Sequence, residues 1–299
     1  MAGADVAMAQ PAGYARGGLS AGCWPALAAA RRSEVARVPF AIAGVAVGSV
    51  AAAHLDALRV WPGWLDVDER GVQLIAANRT SALADVNAAL RAHGLILAWR
   101  DETYAVLTRL GASPVALIER ATARFWGTLT FGAHATGYVA DAKGRPTHVW
   151  IARRSPHKAT DPGKLDNLIG GGVPHGQTPF ETLVREGFEE AGLAAELMRH
   201  AVAGSVIELA CDIAEGFMRE QLHSFDLCLP AGLKPVNQDG EVAELRCVPI
   251  DEAIAIAAGC EMTVDASLVT LDFLLRHRLL SADEHRDLAP RLPLAPSEN

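Results

Sequence analysis

Residues 170–193 read GGGVPHGQTPFETLVREGFEEAGL, and three carboxylates in this stretch can act together. At about 100° per helical residue, Glu186, Glu189 and Glu190 fall within about 100° of one another on one side of a helix. Three like charges so placed repel. They also sit in the C-terminal half, where the helix dipole disfavours negative charge. A hard divalent cation, Mg²⁺ or Mn²⁺, offsets both penalties, because it takes oxygen ligands and shares its charge with substrate phosphates. The bland alternative is a solvated acidic helix face. Gly170, Gly171 and Gly172 weigh against it, since they permit close backbone approach and let a main-chain carbonyl join a metal shell.

The element that must position these carboxylates is well bounded. Thr178 is an N-cap, and Glu181 three residues on completes a capping box. Pro179 occupies the first helical position, and Gly192 supplies the stop. The helix therefore runs from about Thr178 to Ala191. Phe180, Leu183, Val184, Gly187 and Ala191 are expected on its buried face.

Strands are expected at His134–Val139 and Thr147–Ile151, joined by a turn at Asp141-Ala-Lys-Gly. A loop runs from Ser155 to Asn167. Further strands are read at Val202–Leu209, Gln221–Leu229 and Glu241–Val248, then helices at Asp251–Ala258 and Ala266–Leu280. A mixed sheet packed between helices fits this order.

The region before Phe125 reads as a small α+β unit: a helix over Trp24–Arg37, a strand and buried helix over Phe40–Leu55 and a strand at Gly71–Ala76. A helix at Ser81–His93, a strand–turn–strand over Leu95–Leu107 and a helix over Pro114–Arg124 complete it. Arg100, Asp101 and Glu102 fall near the bend of the Leu95–Leu107 segment. Nothing in this unit is read as catalytic. The domains are taken as 1–122, with about 1–20 mobile, and 123–299.

The chain has 299 residues, half of them apolar, and a formal net charge of -8. A sizeable core is affordable at that composition. The acidic balance argues against nucleic acid or an anionic membrane as partner. The five cysteines form no CxxC pair, so they are expected as small buried side chains in a reducing compartment. Met1–Gly22 does not read as a signal peptide, and Phe40–Leu55 is short of the roughly 20 residues of a membrane span. A cytoplasmic location is expected.

The spacing G-x5-E-x7-R-E-U-x-E-E-x-G-U, with U a bulky aliphatic, resembles that of the Nudix hydrolases. Gly171, Arg185, Glu186, Glu189, Glu190, Gly192 and Leu193 stand at its positions. Gly187 replaces the bulky aliphatic and Gln177 the first glutamate, and the loss of that glutamate puts metal number or rate in question. The resemblance implies a Nudix α/β/α sandwich with a mixed sheet. More of the chain is similar to the Nudix domain fused to thiamine pyrophosphokinase in fungi and to its stand-alone relatives. That likeness rests on WIARRSPHKATDPGKLDNLIGGG, FWGTLTFGAHATGYV, the NQDGEV run, VDASLVTLDFLLRH and, earlier, PFAIAGVAVGSV and AWRDETYAV. It implies a hydrolase, a diphosphatase in metabolite repair, that cleaves thiamine diphosphate or its damaged oxo and oxy forms.

On this resemblance, magnesium or manganese is held by Glu186, Glu189 and Glu190, with the carbonyl of Gly171 or Gly172 as a further ligand. Glu186 polarises the attacking water, and Arg185 braces the cluster by ion pairs. Glu241 and Glu220 are candidates for an accessory base, each alone equally a solvated carboxylate. Arg153, Arg154, Lys158 and Lys164 are the local cations suited to diphosphate oxygens. Asp166 and Asn167 orient ligand or loop. His134 and Tyr138, or Trp99 and Trp126, contact a ring or pack in the core. The partner is a small-molecule diphosphate, and a homodimer stays open. The competing readings are another diphosphate such as ADP-ribose, a sensing module without turnover, and an isomerase of the same fold.

Overall fold

The computed structural model describes residues 24–296. The readings of residues 1–20, of Met1–Gly22 and of Cys23 lie outside them. The N-terminal elements are α1 (Pro25–Ala29), β1 (Arg37–Ile42), β2 (Val45–Ala51), α2 (Leu55–Leu58), β3 (Leu65–Asp68) and β4 (Gly71–Leu74). They continue with α3 (Arg79–Ala92), β5 (Thr103–Val106), β6 (Ala116–Glu119) and α4 (Thr122–Trp126). A four-stranded sheet has the order β2-β1-β4-β3, and α3 packs on β6 of the β5–β6 hairpin and shares a core with the sheet.

Four local expectations change here. The helix read over Trp24–Arg37 is confined to Pro25–Ala29, and Arg37 already opens β1. Phe40–Leu55 is a hairpin rather than a strand and helix, because Ala43 and Gly44 both take positive φ and reverse the chain. Leu95–Leu107 holds one strand, preceded by a loop, and Pro114–Arg124 holds β6 before a short helix. In both segments the partner strand lies across the loop, which local pattern does not reveal. The helix read at Ser81–His93 is present, capped by the Asn78 side chain accepting from Ser81 N–H.

The second part contains β7 (Leu129–Ala140), β8 (Pro146–Arg154), β9 (Leu165–Asp166), β10 (Ile169–Gly172), α5 (Pro179–Ala191) and α6 (Ala195–Met198). It closes with β11 (Val202–Ile213), β12 (Gly216–Cys228), β13 (Val242–Pro249), α7 (Ile250–Ala257), α8 (Val264–Arg276) and α9 (Ala282–Leu288). The mixed sheet has the order β11-β12-β7-β8-β13, with β10 on β7 and β9 on β8. β7 runs parallel to β12, and its two halves pair antiparallel with β10 and β8.

Strand alternation splits the core into two layers. Phe131, Ala133 and Ala135 of β7 pack with Leu183, Ala191 and Met198 under α5. Ile151, Ile207, Leu209 and Leu222 pack on the other face with Leu268, Leu271 and Leu275 of α8. Each fully buried leucine contributes about 1.5–3 kcal/mol, so the sheet holds α5 firmly from beneath. A third cluster belongs to the N-terminal elements and takes in Phe125 and Trp126. The mixed α/β sandwich preceded by a smaller α+β unit is thus present. Of the described cysteines only Cys211 is buried, while Cys228, Cys247 and Cys260 are exposed, correcting the expectation of buried thiols. No described helix is long and apolar enough to cross a membrane.

Candidate functional site

α5 begins as its sequence dictates. The Thr178 side chain accepts from Glu181 N–H, and the Glu181 carboxylate accepts from Thr178 N–H at 2.8 Å. It ends at Gly192, whose φ of 64° is the left-handed cap. The NQDGEV run and Val236 just before it then cover the open carbonyls of the last turn. Gln238 N–H donates to Glu189 O at 2.8 Å and Val236 N–H to Ala191 O at 2.9 Å. That same run carries Glu241 back towards the helix.

Leu183, Gly187 and Ala191 are buried as expected. Phe180 is 38% exposed and lies off the buried face, while Thr182 takes an inward place beside Leu183. Gly187 is explained by its neighbour: a Cβ there would stand 2.8 Å from the Sδ and Cε atoms of Met198. The methionine on α6 fills the space that a bulky aliphatic would occupy. Gln177, at the other departure, accepts from the Thr182 hydroxyl at 3.0 Å.

The three glutamates differ in setting. Their side chains are 13% exposed at Glu186, 37% at Glu189 and 7% at Glu190. Arg185 donates to Glu186 at 2.8 Å and to Glu189 at 2.6 Å, bracing both. Glu190 accepts from Gly170 N–H at 2.8 Å and pairs with Lys158 Nζ at 3.3 Å. Lys158 also pairs with Glu241 at 2.5 Å. Glu186 lies against Gly171 so closely that any Cβ on that residue would collide with its carboxylate.

The electrostatics follow. Burial pushes Glu190 up to about 8, with Glu186 and Asp166 adding to it and Lys158 opposing. Burial also raises Glu186, with Arg185 opposing. Burial would raise Glu241 as well, but the Lys158 hydrogen bond and charge hold it below the usual range, helped by Arg100 and Arg120.

Among the described residues no three His, Cys, Asp or Glu side chains gather in a ready cation-binding group. The expected trio is divided between Arg185 on one side and Lys158 on the other, because each buried carboxylate takes the nearest cation. The donor chemistry nevertheless fits a hard divalent ion. Two carboxylates and the Gly171 backbone meet at β10, and every donor is oxygen.

A cavity of about 900 Å³ opens over this junction. Its wall includes Gly170, Gly171, Gly172, Arg185, Glu186 and Glu189, together with Arg154, Lys158, Lys164, Glu220 and Glu241. A smaller space of about 190 Å³, lined by Leu107, Phe131 and Gln177, lies outside this constellation. Arg153 is the correction among the expected cations. It turns to Gly163 O at 2.9 Å and to Glu244 at 3.4 Å, and it does not line the cavity. Adjacent strand residues face opposite ways, so only Arg154 of the pair looks in. There Arg154 holds Asp166 at 2.7 Å.

Asn167 supports the site from beneath: its carboxamide donates to Thr270 at 3.1 Å and its oxygen meets His134 Nδ1 at 3.1 Å. His134 lines the cavity. Burial alone would lower its pKa, but Asp265 and Asp166 outweigh that and raise it. Tyr138 packs on Phe273 and His277. Trp126 is core, its Nε1 donating to Asn87 at 2.7 Å. Trp99 stacks under Arg91, at 4.5 Å to the ring centroid. Glu220 accepts from Arg124 at 2.7 Å.

Sequence reasoning missed the cavity's other wall. Arg100, Glu102, Arg120 and Arg124 belong to the N-terminal unit and line it, as does Asp265 at the start of α8. The one available signal was the run Arg100-Asp101-Glu102, three charges together in an otherwise apolar stretch.

The comparisons with known proteins match two successive stretches of the chain. Residues 130–265 match the family described as NUDIX domain, and residues 25–130 match a domain of unknown function, DUF4743. The chain is 38% identical over 217 residues to Nudix hydrolase 24, chloroplastic, of Arabidopsis thaliana, covering 72% of this chain and 59% of that protein. It is 37% identical over 219 residues to Nudix hydrolase 20, chloroplastic, of the same plant, covering 72% and 58%. An uncharacterized protein of Saccharomyces cerevisiae is 34% identical over 197 residues, covering 62% of this chain and 57% of its own length. The matches thus span less than three fifths of each of these relatives. The stretch that matches DUF4743 precedes the one that matches the NUDIX domain.

Proposed function

We propose, from the premise that residues 130–265 are a Nudix domain, that the protein is a divalent-metal-dependent diphosphate hydrolase. The observation that carries this reading is the meeting of α5 and β10, with Glu186 on Gly171 and Glu190 on Gly170 N–H, at a cavity lined by Arg154, Lys158 and Lys164. Glu186, Glu189, Glu190 and the Gly171 carbonyl would hold Mg²⁺ or Mn²⁺. When bound, the ion neutralises phosphate charge and makes water a better nucleophile.

The chain's own residues do the remainder. Arg185 fixes the rotamers of Glu186 and Glu189 through its two hydrogen bonds. Arg154, Lys158 and Lys164 bind the diphosphate oxygens. Glu186 orients the attacking water, with Glu241 as an accessory group kept ionised beside Lys158. Glu220, tied to Arg124, is the other carboxylate at the wall.

The substrate proposed is thiamine diphosphate or its damaged oxo and oxy analogues, cleaved to the monophosphate and phosphate. The sequence resemblance supports this. So does the chemistry of the cavity, which holds Asp212, Glu215 and Asp265 as well as its cations. Carboxylates suit a cationic ring, as cations suit a diphosphate.

The test is phosphate release with Mg²⁺ or Mn²⁺ on thiamine diphosphate, oxythiamine diphosphate, ADP-ribose and a nucleoside triphosphate at equal concentration. Fastest turnover on an oxidised thiamine diphosphate is the expected result. Preference for ADP-ribose would keep the metal chemistry and remove the thiamine reading. Silence on all four would move the protein to the class of ligand sensors.

A further inference from the structure

The N-terminal unit does more than precede the hydrolase fold. Tyr104 of β5 reaches Gly172 with its hydroxyl, and the Arg120 guanidinium lies beside the same glycine. Thr103 O accepts from His175 N–H at 2.9 Å. The strand that carries Gly171 is therefore held between α5 and the N-terminal unit. Arg120 in turn is fixed by Glu102 at 2.9 Å and by the Tyr104 ring, with 5.6 Å to its centroid.

Beside this brace stands Arg100. Its guanidinium lines the cavity and makes no ion pair or hydrogen bond among the described residues. Its backbone is the opposite of loose. Glu119 accepts from Arg100 N–H at 2.8 Å and from Ala121 N–H at 2.7 Å. Trp99 Nε1 donates to Asp101 at 2.7 Å. Ala98 and Asp101 take φ values of 57° and 58°, a left-handed conformation that costs energy at residues other than glycine. Two such residues within four positions, clamped by a carboxylate, set a guanidinium without a hydrogen bond at a cavity whose wall already holds Lys158 and Arg154. Glu241 and Glu102 offset only part of the cost of placing this charge beside Arg120 and Arg154, and an anionic ligand would offset more of it. Burial lowers its pKa, Arg120 and Arg154 add to that effect, and Glu241 and Glu102 oppose it.

We propose that the N-terminal domain completes the substrate site, with Arg100 binding a phosphate group of the diphosphate and Arg120 acting as the positioning residue behind it. The proposal rests on the hydrolase reading of α5 and β10 for its substrate, but not for its anion. A planar guanidinium offers paired N–H donors to phosphate oxygens, so it anchors as well as attracts.

The experiment uses the full chain and the variants Arg100→Ala and Arg100→Lys, with Arg145→Ala as an exposed control of equal charge loss. Steady-state kinetics on the diphosphate that the wild type turns over fastest should show KM raised about tenfold or more in Arg100→Ala. Its kcat should stay within about threefold, because the ground state and the transition state both carry that phosphate. Arg100→Lys should recover part of the loss and Arg145→Ala should match the wild type. Calorimetric titration with inorganic pyrophosphate in the absence of metal should show the same order of affinities.

Wild-type KM and pyrophosphate affinity in Arg100→Ala would overturn the proposal. So would equal losses in Arg100→Ala and Arg145→Ala, which would reduce the effect to net charge. If no diphosphate is hydrolysed even by the wild type, the hydrolase reading fails and pyrophosphate decides this one alone. Binding lost only in the Arg100 variants sustains it, and binding that is absent or unchanged overturns it.

Discussion

The two walls of the cavity are built by opposite means. On one side, α5 presents Glu186 and Glu189, with Glu190 buried behind them, from a single helix whose start, stop and buried stripe are written in contiguous residues. On the other, Arg100 comes from a loop, Arg120 from the turn before a short helix and Arg124 from that helix's last turn, with Glu119 tying the backbone of Arg100 to that of Ala121. The first wall is a motif, and the second is an assembly. Functional residues on a regular element can be read by period, whereas those on a loop depend on what the rest of the chain does around it.

Glu190→Gln should produce the largest effect, lowering kcat about a hundredfold or more while the circular dichroism spectrum stays that of a folded protein. Wild-type turnover in that variant would break the claim that the helix wall carries the chemistry. Gly187→Leu should come next, destabilising the chain by about 1–3 kcal/mol in urea titration, because the new side chain meets Met198. Adding Met198→Ala should return much of the loss. If the single variant is neutral, Met198 is not the filler of that space. Thr178→Ala should cost about 1 kcal/mol through the lost cap, measured the same way.

The smallest expected change is one of pH dependence. His134 has a raised pKa, so its contribution to stability is complete below the ordinary histidine value of 6.5 and is lost as pH rises through the raised one. Asp265 and Asp166 cause the rise, with Asn167 and Glu220 also facing the ring. Melting temperature should therefore fall across that window in the wild type and fall less in His134→Gln. Parallel profiles would mean that the imidazole is neutral in the fold.

How much of this was legible in the sequence follows from the same contrast. The α5 boundaries, β7, β8 and the turn at Asp141 were readable, because caps and alternation are local. Arg153 and Arg154 were not separable, since the expected strand stopped at Ile151 and their facing depends on the pleat of β8 continuing to Arg154. Phe180 was assigned to the core because helical phase was counted without the shape of the groove beneath it. Arg100 was seen as a charge near a bend, but the bend is a clamped loop whose geometry depends on Glu119, nineteen residues away. The division of the glutamate trio by Arg185 and Lys158 was half visible, for only Arg185 is a helical neighbour.

The three glycines of β10 each leave room for a different part of the molecule. His134 of β7 occupies the place a side chain would take at Gly170, Glu186 of α5 at Gly171, and Tyr104 of β5 at Gly172. The strand thus works as a gauge block, one notch per component, setting sheet, helix and N-terminal domain to a common zero. A methyl group added at each notch in turn would push a different component out of line. Three alanine variants would then separate three misalignments that no single substitution in the components themselves could tell apart.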